Sequence, residues 1–136
     1  MTQDATYIYV CRTCRPDGFT GPDEDRPGAE FSRTLVERAQ ARGLNGQVEI
    51  KGVDCLSVCK RPCTAAVVGT AKFAYVIGDM EAGEHADDLL DFALLYAESE
   101  DGITKWRDRP EVVRKHTVAR VPPFAHLLGP VVEIED

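Results

Sequence analysis

All five cysteines of this chain lie in two short stretches, Cys11-Arg12-Thr13-Cys14 and Cys55-Leu56-Ser57-Val58-Cys59 with Cys63 soon after. No other feature constrains the fold as much, because the intervening chain has to bring the two stretches together if the thiols act as a group. Thr6-Tyr7-Ile8-Tyr9-Val10 is β-branched and aromatic, and predicts a strand that ends at Cys11. Val48-Glu49-Ile50-Lys51-Gly52-Val53 alternates apolar and polar, and predicts a second strand that runs into Cys55. Between them, after a breaker-rich loop over 16–27, Phe31, Leu35, Val36 and Ala39 form one apolar helical stripe that Gly43 ends. A strand–helix–strand unit pairs its strands in parallel with a right-handed crossover. Loops at the C-terminal ends of neighbouring parallel strands lie side by side, where such folds bind ligands. Cys11, Cys14, Cys55 and Cys59 are therefore expected to converge.

The rest of the chain completes a sheet. Ala65-Ala66-Val67-Val68 predicts a third strand, Gly69-Thr70 a turn, and Phe73-Ala74-Tyr75-Val76-Ile77 a fourth strand, so the last two form a hairpin. Residues 84–99 predict a second helix with Ala86, Leu89, Leu90, Ala93 and Tyr96 as its buried stripe. Trp106 is read, with Tyr96, as core. The expected fold class is α/β (α+β): a thioredoxin-like mixed four-stranded sheet with two main helices and a cysteine loop in place of the middle helix. A length of 136 residues fits one domain over 1–136, with 102–136 as a C-terminal extension.

Charge and composition narrow the function. The net charge is −7, which disfavours nucleic acid and anionic membranes as partners. No apolar run approaches the ~18–20 residues that span a bilayer. Met1-Thr2-Gln3-Asp4 lacks a basic segment followed by an apolar one, so no signal peptide is read and the expected location is cytoplasmic. In that reducing compartment clustered cysteines bind metal or do redox chemistry, and their odd number argues against a disulfide framework. Four thiolates suit a [2Fe–2S] cluster, iron or zinc; the consecutive four-cysteine run of a bacterial [4Fe–4S] site is absent. Arg12, Arg15, Lys60 and Arg61 flank the cysteines and would lower thiol pKa values and offset the charge of a thiolate cluster.

A dithiol redox protein using Cys11 and Cys14 is the rival of a metal site, although a reactive pair normally opens a helix and Pro16-Asp17-Gly18 follows here. His85, His116 and His126 lie outside the cysteine motif and read as surface or capping residues. There is no Ser-His-Asp order, phosphate loop or paired-carboxylate motif, so an electron-transfer or metal-binding protein is expected rather than an enzyme. Residues 79–101 carry nine acidic groups and no Lys or Arg, whereas 104–120 carry Lys105, Arg107, Arg109, Arg114, Lys115 and Arg120. The acidic run reads as the solvated face of the second helix or as a docking surface for a redox partner. The two opposed patches also allow a weak homodimer.

Val53-Asp54-Cys55-Leu56-Ser57-Val58-Cys59-Lys60-Arg61-Pro62, followed by the hairpin with Tyr75, resembles the second half of thioredoxin-like [2Fe–2S] ferredoxins, which include the ferredoxin-like subunit of respiratory complex I. With the Cys-x-x-Cys-Arg after its first strand and Cys63 after Pro62, the whole chain is similar to a bacterial family of small predicted metal-binding proteins, a domain of unknown function. The resemblance covers about residues 6–125. It implies a [2Fe–2S] cluster held by Cys11, Cys14, Cys55 and Cys59, with Cys63 as a substitute ligand or lid. It implies a redox partner protein, or else zinc binding or metal delivery to a metal-handling enzyme linked to cobalt and cobalamin metabolism. Two departures stand out: the ferredoxins space their first two cysteines more widely, and they have proline where Cys63 stands.

Overall fold

A computed structural model of the chain describes residues 6–13, 15, 18–44, 46–57 and 63–123. Strand β1 (Thr6–Cys11) is followed by helix α1 (Pro27–Ala41), β2 (Val48–Val53), β3 (Ala65–Val68), β4 (Ala74–Ile77), α2 (Ala82–Glu98), α3 (Glu111–His116) and β5 (Thr117–Val121). The sheet order is β2-β1-β3-β4-β5. β1 and β2 are parallel, with Thr6 opposite Val48 and Cys11 opposite Val53, and the other three pairings are antiparallel.

Local sequence accounts for most of these elements. Pro27 stands in the first turn of α1, where its missing N–H leaves nothing unsatisfied. Gly43 ends the helix at φ +68, a conformation that carries no steric penalty without a Cβ. Its N–H donates to the Gln40 carbonyl (3.1 Å) and that of Leu44 to the Ala39 carbonyl (2.9 Å), the paired bonds of a Schellman stop, with Leu44 buried beside them. On the sheet, Ile8, Val10, Val67, Tyr75 and Ile77 are fully buried, and they pack with Phe31, Leu35, Leu89, Leu90 and Phe92 of the helices in one core. Tyr75 meets Phe92 edge-on at 5.0 Å and Tyr96 at 6.0 Å. α1 and α2 lie against each other as well as against β1 and β2, so they share a face of the sheet.

Among the described residues the sheet has five strands where four were expected, and α3 is an additional short helix. β5 pairs with β4 through Ala74–Val121 and Tyr75–Arg120, with a register shift between Val76 and Ile77. Its pattern was hard to read because an edge strand with four of its five residues exposed shows no apolar alternation, and α3 runs into it without a turn residue. Trp106 is 64% exposed and not part of the core, whereas Tyr96 is fully buried as expected. Among the described residues no helix is long and apolar enough to cross a membrane.

Candidate metal centre

Three cysteine-bearing segments, those of Cys11, Cys55 and Cys63, meet at one end of the sheet. β1 ends on Cys11, whose N–H donates to the Thr64 carbonyl at 3.0 Å on one side. The next N–H, that of Arg12, donates to the Val53 carbonyl at 2.9 Å on the other side. Cys63 precedes Thr64, and Cys55 lies two residues beyond Val53. The backbone thus sets Cys11 between the segments that carry Cys55 and Cys63. Cys11 and Cys63 are buried, and Cys55 is exposed. Cys14 and Cys59, and the flanking Lys60 and Arg61, lie outside the described residues; Arg15 is exposed. Among the described residues no three His, Cys, Asp or Glu side chains form a group that could hold a metal ion, two of the four expected ligands being outside them.

The two cysteine loops are fastened to each other. Arg12 donates from Nε to Asp54 Oδ1 at 2.7 Å and pairs with it from Nη2 at 2.7 Å. The Thr13 hydroxyl donates to the Asp54 carbonyl, and its oxygen lies 3.8 Å from Cys11 Sγ. The residue after Cys11 thereby grips the residue before Cys55. Ser57, at φ +59, turns its N–H onto Cys55 Sγ at 3.2 Å. An N–H aimed at sulfur tunes any metal bound to it.

Further polar groups reach this end from outside the cysteine-flanking residues. Arg26, just before α1, donates to the Thr13 carbonyl at 3.4 Å and pairs with Asp23 at 3.0 Å. With Arg12, Thr13, Asp23, Glu24, Ala29 and Asp54 it lines a recess of about 380 Å³ beside the first cysteine loop. A second cleft, of about 290 Å³, holds Cys63 with Pro27 and Glu30 from the start of α1 and Glu81, Ala82 and Gly83 from the start of α2. The first turns of both helices, whose N–H groups carry partial positive charge, therefore face the cysteine end. The signal in the sequence was topological: a helix that returns from the end of a parallel strand begins at that end.

Other residues singled out in the sequence lie elsewhere. His85, inside the first turns of α2, accepts the N–H of the N-cap residue Glu81 on its Nδ1 at 2.8 Å. His116 packs edge-on against His85 at 5.9 Å, and its buried Nδ1 has no hydrogen-bond partner among the described residues. His126 lies outside the described residues.

Residues 8–123 match the family described as "Protein of unknown function (DUF1636)". The chain belongs to this family. No curated protein matches it. Among solved structures, a thioredoxin-like [2Fe–2S] ferredoxin from Aquifex aeolicus is similar over 91% of this chain and 99% of its own, with a TM-score of 0.60 and 17% identity. A second structure of the wild-type thioredoxin-like ferredoxin from that organism covers 85% of this chain and 98% of its own, with a TM-score of 0.53 and 17% identity. A cysteine-to-serine variant gives a TM-score of 0.56 at 18% identity. This member of the family therefore has the thioredoxin-like ferredoxin fold, carrying the mixed sheet and the cysteine end described above.

Proposed function

We propose that this chain holds a [2Fe–2S] cluster through cysteine thiolates and carries single electrons to a larger enzyme. The supporting observation is the register Cys11–Val53, closed by the Arg12 N–H to Val53 carbonyl bond, which keeps the two cysteine-bearing strand ends adjacent. Cys11, Cys14, Cys55 and Cys59 would hold the cluster. The donors fit such a group: they are soft sulfur ligands, one already accepts a backbone N–H, and the first turns of two helices face their end of the sheet. When bound, the cluster supplies a one-electron redox centre. The protein's own part is to keep Cys11 buried against β3, to fasten the two loops through Arg12 and Asp54, and to leave Cys55 at the surface where a partner approaches. Anaerobic purification tests this reading: about two iron and two sulfide per chain are expected. Stoichiometric zinc without visible absorption, after reconstitution with iron and sulfide, would refute it.

A metal-handling module that holds or delivers zinc is the second reading, and Cys63 favours it. This fifth thiol starts the segment that receives the Cys11 N–H, so it stands at the same end of the sheet as Cys11. Metal transfer needs a ligand set that changes, and electron transfer does not. A dithiol redox role for Cys11 and Cys14 gains no support, because Cys11 ends a strand and among the described residues the next α-helix begins only at Pro27.

A further inference from the structure

Among the described residues β2 is an outermost strand of the sheet and pairs with β1 alone. Two hydrogen bonds define which of its backbone groups remain available. The Val53 carbonyl accepts the Arg12 N–H (2.9 Å), and the Gln47 carbonyl accepts the Thr6 N–H (3.3 Å). The N–H and C=O of one strand residue point to the same side, and successive residues alternate. Positions 47, 49, 51 and 53 therefore address β1, and Val48, Ile50 and Gly52 turn their N–H and C=O groups outward. None of the three is proline, so every outward position both donates and accepts. Such an edge is a template for another strand.

The side chains select which strand. Two copies related by a two-fold axis bring identical edges together antiparallel. Centred on Ile50, that pairing sets Ile50 against the partner's Ile50 and Val48 against the partner's Gly52, all at hydrogen-bonding positions. It sets Glu49 against the partner's Lys51, and Lys51 against the partner's Glu49, at the closer non-hydrogen-bonded positions. Centring on Glu49 or on Lys51 puts like charges face to face, and centring on Val48 or Gly52 loses both charge pairs. At this edge Ile50 borders an open groove of about 150 Å³ shared with Val36, Ala39, Val48 and Glu49, and Val36 is 39% exposed. A second Ile50 thus arrives beside the side chains of Val36 and Val48, while Glu49 and Lys51, 4.0 Å apart within the chain, alternate with Ile50 along the strand.

We propose that β2 is the self-association edge of this protein, pairing antiparallel with β2 of a second copy about Ile50 and joining the two five-stranded sheets into one. The antiparallel arrangement points the two cysteine ends in opposite directions. Cys55 lies five residues past the centre, so the two copies hold it roughly 30 Å apart at ~3.3 Å per residue. Each cysteine end keeps its own approach.

Sedimentation velocity of the full chain over a range of concentrations tests the proposal. The wild type is expected to show a concentration-dependent dimer. Lys51→Glu and Glu49→Lys should each weaken it about tenfold or more, and the double swap Glu49→Lys/Lys51→Glu should restore it. Circular dichroism checks that each variant folds. If one does not, amide exchange in the wild type decides: the Ile50 and Gly52 N–H groups should become more protected as concentration rises. A chain that stays monomeric at every concentration, a dimer indifferent to both single reversals, a swap that fails to restore it, or exchange at Ile50 and Gly52 independent of concentration would each overturn the proposal.

Discussion

At the cysteine end Arg12 and Asp54 pair across two loops with 61% and 77% of their side chains exposed. Along α2, a stretch that looks equally polar in the sequence, two acidic groups join half-exposed pairs with the end of another helix. Arg42 reaches from the end of α1 to Asp91 at 2.6 Å and to Asp87 at 3.4 Å, and Arg38 joins Asp87 at 3.5 Å. These contacts with Asp91 first, and then Asp87, raise the Arg42 pKa further. The basic stretch is similar. Arg109 lies 5.3 Å from the Tyr75 ring and donates to Thr104 at 2.9 and 2.8 Å. Arg114 covers Trp106 at 5.2 Å, and Arg120 covers Phe73 at 5.4 Å. The acidic run is therefore not simply a solvated face, because part of it is the seam between α1 and α2. Density of charge does not by itself mark a docking surface; what each charge touches decides that. In this molecule the cysteine end keeps its polar groups at strand termini open to solvent, and the helical flank uses them to lace aromatic packing.

Substitutions sharpen the contrast, and the largest effect belongs to the cysteine end. Cys55→Ser should strip the metal centre while leaving the melting temperature of the apo chain almost unchanged, because Cys55 is exposed and packs in no core. Cys63→Ser should leave most of a [2Fe–2S] cluster in place, read by iron analysis and visible absorption. If Cys63→Ser removes the metal and Cys14→Ser does not, the ligand set is different from the one proposed.

The reverse behaviour is expected in the core. Phe92→Ala deletes a fully buried ring that meets Tyr75, and should lower unfolding free energy by about 3–5 kcal/mol in denaturant titrations. Metal bound per folded chain should not change. Loss of metal from the folded variant would show that core and cysteine end are coupled.

Tyr96 gives a smaller effect with a pH signature. Its hydroxyl donates to the Phe73 carbonyl at 2.5 Å, so Tyr96→Phe should cost about 1–3 kcal/mol by leaving that buried carbonyl unpaired. Burial pushes the phenol pKa well above its ordinary value of 10.0. The unfolded chain therefore ionises first, and ionisation favours unfolding. The neutral phenol's contribution is fully present below pH ~10 and is lost as pH rises beyond that. Thermal melts from neutral to alkaline pH should fall less steeply in Tyr96→Phe than in the wild type.

The smallest effect is at the helix seam. Reversing Asp87 and Asp91 to Lys removes ion pairs that are half-exposed, each contributing below about 1 kcal/mol after screening. The melting temperature should drop slightly at low salt, and the difference should shrink as salt is added. A drop that persists in high salt would mean that the seam acts through packing and not through charge.

Sequence alone determined the first half of the chain closely. Thr6–Cys11 and Val48–Val53 are strands, Pro27 opens a helix, and Gly43 ends it. Periodicity, proline and glycine are local signals, and they hold wherever the chain folds. The parallel pairing of the first two strands followed from the helix between them, and with it the nearness of the Cys11 and Cys55 segments. Only tertiary structure decided the rest. β5 exists because β4 offers it an edge, so neither its own alternation nor its exposure announces it. Trp106 stays outside the core, with the Arg114 guanidinium over its ring. Arg26 reaches the first cysteine loop from across the 18–26 segment, and Arg42 reaches Asp91 from another helix. These are contacts between residues far apart in the chain, and their energy depends on distances that no short stretch of sequence encodes.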